Sequence, residues 1–240
     1  MKPYLFFNKF YITAFALLLS FNLVAQENTL LIEEVIVTAE KRSESLQDIS
    51  QAITALSGSD LEEKNINSFV DLGSIVPGVT VAKNEGYKTV ISIRGVGNET
   101  NQNAIAAPSV AFHMDGIFIA SPFSLQTDFI DIDRIEVLRG PQGTLFGQNS
   151  TGGAVNVISK KPSTDEFAGK ADLTLGNYGL KKYRTSLNMP ISDKVATRFS
   201  VSSTERNGFS NNVYTGQDLD DANNISVRSD WLFDLNDTSS

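Results

Sequence analysis

Five glycines, at positions 140, 143, 147, 152 and 153, fall within 14 residues of a chain that holds 17 in all. Gly147 and Gly152 have the spacing that opens a phosphate-cradling loop, in which backbone N–H groups hold the anion. Such a loop next needs a lysine and then a hydroxyl residue, but Gly153 and Ala154 stand there. No charge is left to meet the outer phosphates, which argues against a nucleotide. His113 is the chain's one histidine and there is no cysteine, so neither a shared-histidine metal site nor a thiol site can be built. Asp131 and Asp133 share one face of an extended strand, an arrangement expected to be a solvated edge. Asp218, Asp220 and Asp221 lack the spacing of a calcium-binding EF-hand loop and read as a solvated acidic loop. Nucleophile, base and stabiliser are nowhere combined, and no nucleophile-elbow or metalloprotease pattern occurs. The expectation is therefore a protein that is not an enzyme and carries no cofactor.

The elements that hold these residues begin with the glycine-rich stretch itself. Apolar runs at 132–138 and 154–158 flank it, so it reads as strand, compact turn region, strand. Upstream, 45–130 reads as a mixed α+β region. Residues 49–56 are expected to form a strand, and Ser59 to Glu62 has capping-box spacing that should start a helix. A second short helix over 68–76 should stop at Pro77-Gly78. Strands are expected at 79–82, 90–93, 110–114 and 117–120, the last two joined by the hairpin signal Asp115-Gly116.

Beyond Pro162 the pattern changes to two-residue alternation. Ala171, Leu173 and Leu175 alternate with polar residues, as do Tyr183 to Ile191, Val195 to Val201 and Ile225 to Phe233. Four segments of about ten residues with one apolar and one polar face suit a membrane barrel with a wet lumen, although a soluble sandwich alternates similarly. A tight turn is expected over 189–194 and a long polar loop over 205–224.

The first 25 residues read as an export signal: Lys2 and Lys9, then an apolar core over 10–19, too short to span a membrane as a helix. Cleavage after Ala25 would start the mature chain at Gln26. The formal charge is −8; without residues 1–25, which hold two lysines and no acid, 18 basic residues face 28 acidic ones, or −10. So acidic a chain repels phosphate backbones, which excludes nucleic acid as a partner. The segment at 33–42, EEVIVTAEKR, has a β-branched centre flanked by charge, with no partner strand evident. It reads as a detached extended piece able to add to another protein's sheet edge.

The stretch 134–162, RIEVLRGPQGTLFGQNSTGGAVNVISKKP, resembles the end of the plug domain of TonB-dependent outer-membrane receptors. LSGSDLEE, VDLGSIVPGV, SIRGVG and VAFHMDGIF follow the same family in order, so the resemblance covers roughly 33–162. It implies a signal peptide (1–25), a TonB box and linker (26–44), a plug domain (45–162) and the first strands of a barrel (163–240). The implied fold is an α+β plug, a small mixed sheet with short helices, followed by antiparallel transmembrane strands. Family barrels have about 22 strands, so with about four the chain is expected to be part of a longer receptor. The implied function is energy-coupled uptake of a scarce bulky solute, a ferric siderophore first, across the outer membrane of a Gram-negative bacterium. Its implied partners are TonB with the inner-membrane motor proteins, outer-membrane lipid and the solute. Glu34, Val35, Ile36, Val37, Thr38 and Ala39 would be the periplasmic coupling box. Arg94 and Arg139 match arginines that anchor the plug to barrel glutamates in the family. Asn98, Asn101, Gln102, Asn103, Phe123 and Gln126 lie in plug loops placed to face the ligand. The rival readings are an exported soluble β-rich binding or adhesion protein, separable by whether detergent is needed, and a plug-containing fragment that does not transport.

Overall fold

Local chain chemistry explains the first elements of the computed structural model, which describes residues 36–37, 44–45, 49, 51–84, 88–97, 108–121, 124–125 and 128–235. Strand β1 (Ile36–Val37) pairs antiparallel with β2 (Glu44–Ser45). The expectation of a detached segment is therefore corrected for these residues. Ile36 and Val37 find their strand partners in Ser45 and Glu44 of the same chain, and Val37 is fully buried. The signal region, Glu34, Val35, Thr38, Ala39, Asn98, Asn101, Gln102, Asn103, Phe123 and Gln126 lie outside the described residues.

Strand β3 (Ile53–Ser57) runs directly into helix α1 (Gly58–Glu63). The cap is Ser57, not Ser59. Its hydroxyl accepts from the Asp60 N–H at 3.1 Å, and the Asp60 carboxylate accepts from the Ser57 N–H at 3.0 Å. The strand's last residue thus doubles as the helix cap, a register the spacing alone did not reveal. Helix α2 (Phe69–Ile75) starts with Asp71 accepting the N–H groups of Asn67 and Ser68, each at 2.8 Å, and ends before Pro77 as expected.

Strands β4 (Val79–Asn84) and β5 (Lys88–Ile93) form a separate antiparallel pair. Strands β6 (Val110–Met114) and β7 (Ile117–Phe118) are joined by Asp115 and Gly116 at φ 50° and 82°, the positive pair that a type I′ hairpin turn requires. Strand β8 (Ile132–Arg139), the one-turn helix α3 (Gly143–Phe146) and strand β9 (Gly153–Ser159) complete this part. The main sheet has the order β3-β8-β9-β6-β7, with β6 and β9 parallel and its other pairs antiparallel. Period-two alternation puts Ile135, Val137, Val155, Val157 and Phe112 on one face, where they bury against Leu61, Phe69, Leu72 and Phe129 of the helical side. Phe69 meets the edges of Phe112 and Phe129 at centroid distances of 5.4 and 4.7 Å.

The glycine-rich segment is a compact connection in which several backbone donors are turned inward to the chain's own carbonyls. Gly140 N–H donates to Gly152 O, Gln142 N–H to Ser150 O, and Gly152 N–H to Ser109 O at 2.8 Å.

Four long strands then form an antiparallel sheet in sequence order: β10 (Ala168–Gly176), β11 (Leu180–Ser192), β12 (Val195–Arg206) and β15 (Ala222–Phe233). The short hairpin β13 (Ser210–Asn211) and β14 (Asp218–Leu219) sits within the long loop before β15. The expected tight turn over 189–194 narrows to Asp193-Lys194, because β11 continues through Pro190 at a register shift. A proline with no N–H to donate is tolerated at such an irregularity.

The two faces of this sheet are the reverse of a soluble protein's. Leu173, Ile225, Val227 and Trp231 are 55–71% exposed, while Ser186, Asn188, Ser200 and Ser202 on the other face are buried. A contiguous apolar outer face with a polar inner one is the arrangement of a strand array that meets lipid outside and water or protein inside.

Candidate functional site

The polar inner face of β10–β15 packs on the N-terminal domain, and the contact is made by acids on the domain and bases on the strands. Asp131 ends the loop before β8 at φ 52°, and its carbonyl accepts the N–H of Lys160 at 3.0 Å. Its carboxylate accepts Arg198 Nε, Arg198 Nη2 at 2.7 Å and Ser200 Oγ at 2.8 Å. The side chains of Asp131 and Arg198 are 8% and 15% exposed. The solvated edge expected for Asp131 and Asp133 is therefore corrected at Asp131. The strand sheet covers Asp131, whereas Asp133 stays exposed and pairs with its neighbour Arg134.

Asp115, in the β6–β7 turn, accepts the N–H and hydroxyl of Ser159 at 2.9 and 2.7 Å through one oxygen. Its other oxygen accepts Arg228 Nη2 at 2.6 Å. Asp128 accepts Thr204 Oγ1 at 2.8 Å and lies 3.3 Å from Lys182 Nζ. Arg184 donates to Asn67 Oδ1 at 3.1 Å and to Asp172 at 2.8 Å. An exposed pair, Glu62 with Lys170, closes the α1 end. Asn188 straps the connector between the two parts, accepting from Ser163 N–H and donating to the Ser163 and Glu166 carbonyls at 2.7–2.9 Å. A half-open crevice of about 180 Å³ runs along the seam between Glu62, Asp131, Lys160, Lys170, Arg184 and Arg198.

These environments set the carboxylates' charge. Burial pushes Asp131 up, but hydrogen bonds from Arg198 and Ser200 and the charges of Arg198 and Lys160 outweigh it, holding it below the ordinary 3.8. Asp115 is also pushed up by burial and held below 3.8 by the N–H and hydroxyl of Ser159 together with Arg228. A carboxylate lowered on folding stabilises fully above its unfolded pKa, and that stabilisation is lost as the pH falls through the folded one. The urea midpoint of the chain in detergent is thus expected to fall between about pH 5 and pH 2.5. The fall should be shallower in Asp131→Asn; equal pH slopes for the two chains would contradict this.

The other residues singled out from the sequence are placed apart from this seam. Arg94 is exposed at the end of β5, in the left-handed region at φ 53°. Arg139 ends β8, and its Nε is buried with no hydrogen-bond partner. Neither forms an ion pair among the described residues. The two ends lie close, because Ile93 abuts Gly153 and Gly153 is the register partner of Arg139. His113 packs between the rings of Phe118 and Phe146 at 5.5 and 5.1 Å, an aromatic setting on the sheet's second face. Nearby, Glu136 is fully buried and accepts from Arg134 Nε at 2.9 Å and Asn156 Nδ2 at 3.1 Å. Asp218 and Asp220 are exposed, in the long connection between β12 and β15.

Sequence reasoning missed Asp128, Lys182, Arg198 and Arg228. The signal present was that all three cations fall on the polar phase of the strand alternation.

The family model of the TonB-dependent receptor plug domain matches residues 45–154. The pesticin receptor of Yersinia pestis is 30% identical over 166 residues, which are 66% of this chain and 23% of that protein. The iron-regulated outer membrane virulence protein of Vibrio cholerae is 32% identical over 165 residues, 66% of this chain and 24% of that one. In fold, the chain is similar to the ferripyoverdine receptor of the outer membrane of Pseudomonas aeruginosa. There the TM-score is 0.61 at 22% identity, over 74% of this chain and 23% of the receptor. The chain thus spans about a quarter of the length of the curated relatives it matches. Residues 45–154 are thus a plug domain of the TonB-dependent receptor kind, and with the antiparallel strands seated on it the chain is similar to the N-terminal part of such receptors.

Proposed function

We propose that this chain is the N-terminal part of an outer-membrane receptor that admits a scarce bulky solute, a ferric siderophore, when TonB draws on its plug. The observation that carries this reading is the two-faced strand sheet, whose polar face grips the plug while its apolar face is left to lipid. Iron appears in the names of relatives reported above, which supports the choice of solute. In this reading the plug occupies 45–162 and the strands from 163 onward are the start of the barrel wall.

Arg94 and Arg139 then serve as anchors for carboxylates of the remaining wall. The Nε of Arg139, buried with no acceptor among the described residues, supports that role, since a buried donor left unpaired is costly. Glu34 to Ala39 form the coupling box on the periplasmic side, where TonB and its inner-membrane motor proteins act. The loops holding Asn98, Asn101, Gln102, Asn103, Phe123 and Gln126 face the solute.

Coupling by strand addition has a structural precondition here. Ile36 and Val37 already pair with Ser45 and Glu44, so the box must leave that two-residue pairing to meet TonB. So short a pair is readily opened, because it holds few ladder hydrogen bonds. In the receptor that continues this chain, Ile36→Pro removes an N–H and fixes φ. It is expected to stop uptake of the ferric chelate while leaving surface binding intact. Uptake at the unmodified rate would reject the box, and extraction of the chain without detergent would reject the membrane wall.

A further inference from the structure

The strand wall is already built as a receptor for carboxylates. Arg198 presents Nε and Nη2 side by side, with Ser200 Oγ beside them, and all three hold the Asp131 carboxylate. One strand over, Arg228 holds Asp115, and on β11 Lys182 lies beside Asp128. A planar guanidinium fork with a hydroxyl is the geometry by which arginine binds carboxylates in general. It has no preference for one that belongs to the same chain.

The charges on this face are unbalanced. Lys170, Lys182, Arg184, Arg198 and Arg228 line it, against Asp172 and Asp230 on the same strands. The balance is supplied by the plug. We propose that the plug aspartates Asp131 and Asp115 are resident stand-ins for an anionic solute, and that the solute class is a chelate bearing several carboxylates. As the plug shifts, solute carboxylates replace the aspartates on Arg198 and Arg228, so the wall never exposes unpaired cations and the solute is drawn along it.

The inference rests on the reading of β10–β15 as the lumen wall, and it deepens that reading by naming the solute's charge. The crevice of about 180 Å³ beside Arg198 and Lys160 is where a small anion first gains access. Lipid headgroups do not compete, because these cations lie on the face opposite the exposed Leu173, Val227 and Trp231.

Citrate is the probe, measured by titration calorimetry on the whole chain in detergent. Asparagine is the replacement of choice, since Asp115 and Asp131 have φ of 50° and 52° and asparagine tolerates that region well. Asp131→Asn and Asp115→Asn should each tighten citrate roughly tenfold by removing a like charge from beside it. The gain should shrink as salt is added, because the attraction is screened. Adding Arg198→Gln to Asp131→Asn should cancel the gain. Adding Arg198→Lys should cancel part of it, because charge stays but the fork is lost. The fluorescence of Trp231, the chain's one tryptophan, reports whether each variant is folded. Should Asp131→Asn not fold, Asp115→Asn with and without Arg228→Gln makes the same comparison at the other site. Citrate affinity unchanged by the asparagine variants, or retained without Arg198 and Arg228, overturns the proposal. That result in a chain that still needs detergent overturns this inference alone, whereas extraction without detergent overturns the wall reading beneath it.

Discussion

Gly153→Ala should strongly destabilise the plug, whereas Gly143→Ala, ten positions earlier in the same glycine-rich stretch, should be neutral or slightly stabilising. Gly153 has φ 148°, and a Cβ there would lie 2.2 Å from the Leu138 carbonyl oxygen and 2.9 Å from Ile93 Cδ1. The carbonyl oxygen belongs to the β8 backbone and cannot withdraw as the end of a side chain could. Gly153 starts β9 between two strands, opposite Arg139 on β8 and Val110 on β6, so moving its backbone breaks a ladder on either side. Strain and clash at one buried position belong to the rare class that costs more than about 4 kcal/mol. At Gly143 an added Cβ meets nothing within 4 Å, and in the one-turn helix α3 alanine gains up to about 1 kcal/mol of helix preference. Urea unfolding of the two refolded variants makes the comparison. A Gly153→Ala chain that unfolds at the unmodified midpoint would refute the close approach of β8 and β9 at this residue.

Arg198→Ala should cost the docked chain about 3 kcal/mol, because it leaves the covered Asp131 carboxylate without its charge partner. The lower end of the range for broken buried pairs applies, since Ser200 and Lys160 still help Asp131. Lys170→Ala, at the other end of the same seam, should cost less than about 1 kcal/mol. Lys170 and Glu62 are 52% and 48% exposed, so water already screens them and takes the place of either partner. The two substitutions remove the same charge from the same wall, and only burial separates their effects. Chemical unfolding in detergent, followed through Trp231 on β15, gives both numbers. Equal losses would show that the Asp131–Arg198 contact is as wet as the surface pair.

The features legible in the residue pattern follow from interactions that are local along the chain. The type I′ signal at Asp115-Gly116 places β6 and β7, because two consecutive positive φ values are a property of those residue types. Alternation in 222–233 predicts which side chains face out, since a strand turns successive side chains to opposite faces whatever it pairs with. The quoted motifs over 33–162 point to the family, which the plug match over 45–154 bears out. Tertiary structure decided the rest. Ser57 rather than Ser59 caps α1, because the end of β3 is set by pairing with β8, some 80 residues away. Ile36 and Val37 pair locally, although their composition suits an open edge equally well. Asp131 changes from an expected solvated edge to the centre of the seam because Arg198, 67 residues on, is brought over it. Charge and spacing along one sequence record that both residues are ionic. Which acid meets which base depends on how the strand sheet is laid across the plug, and no short-range pattern encodes that.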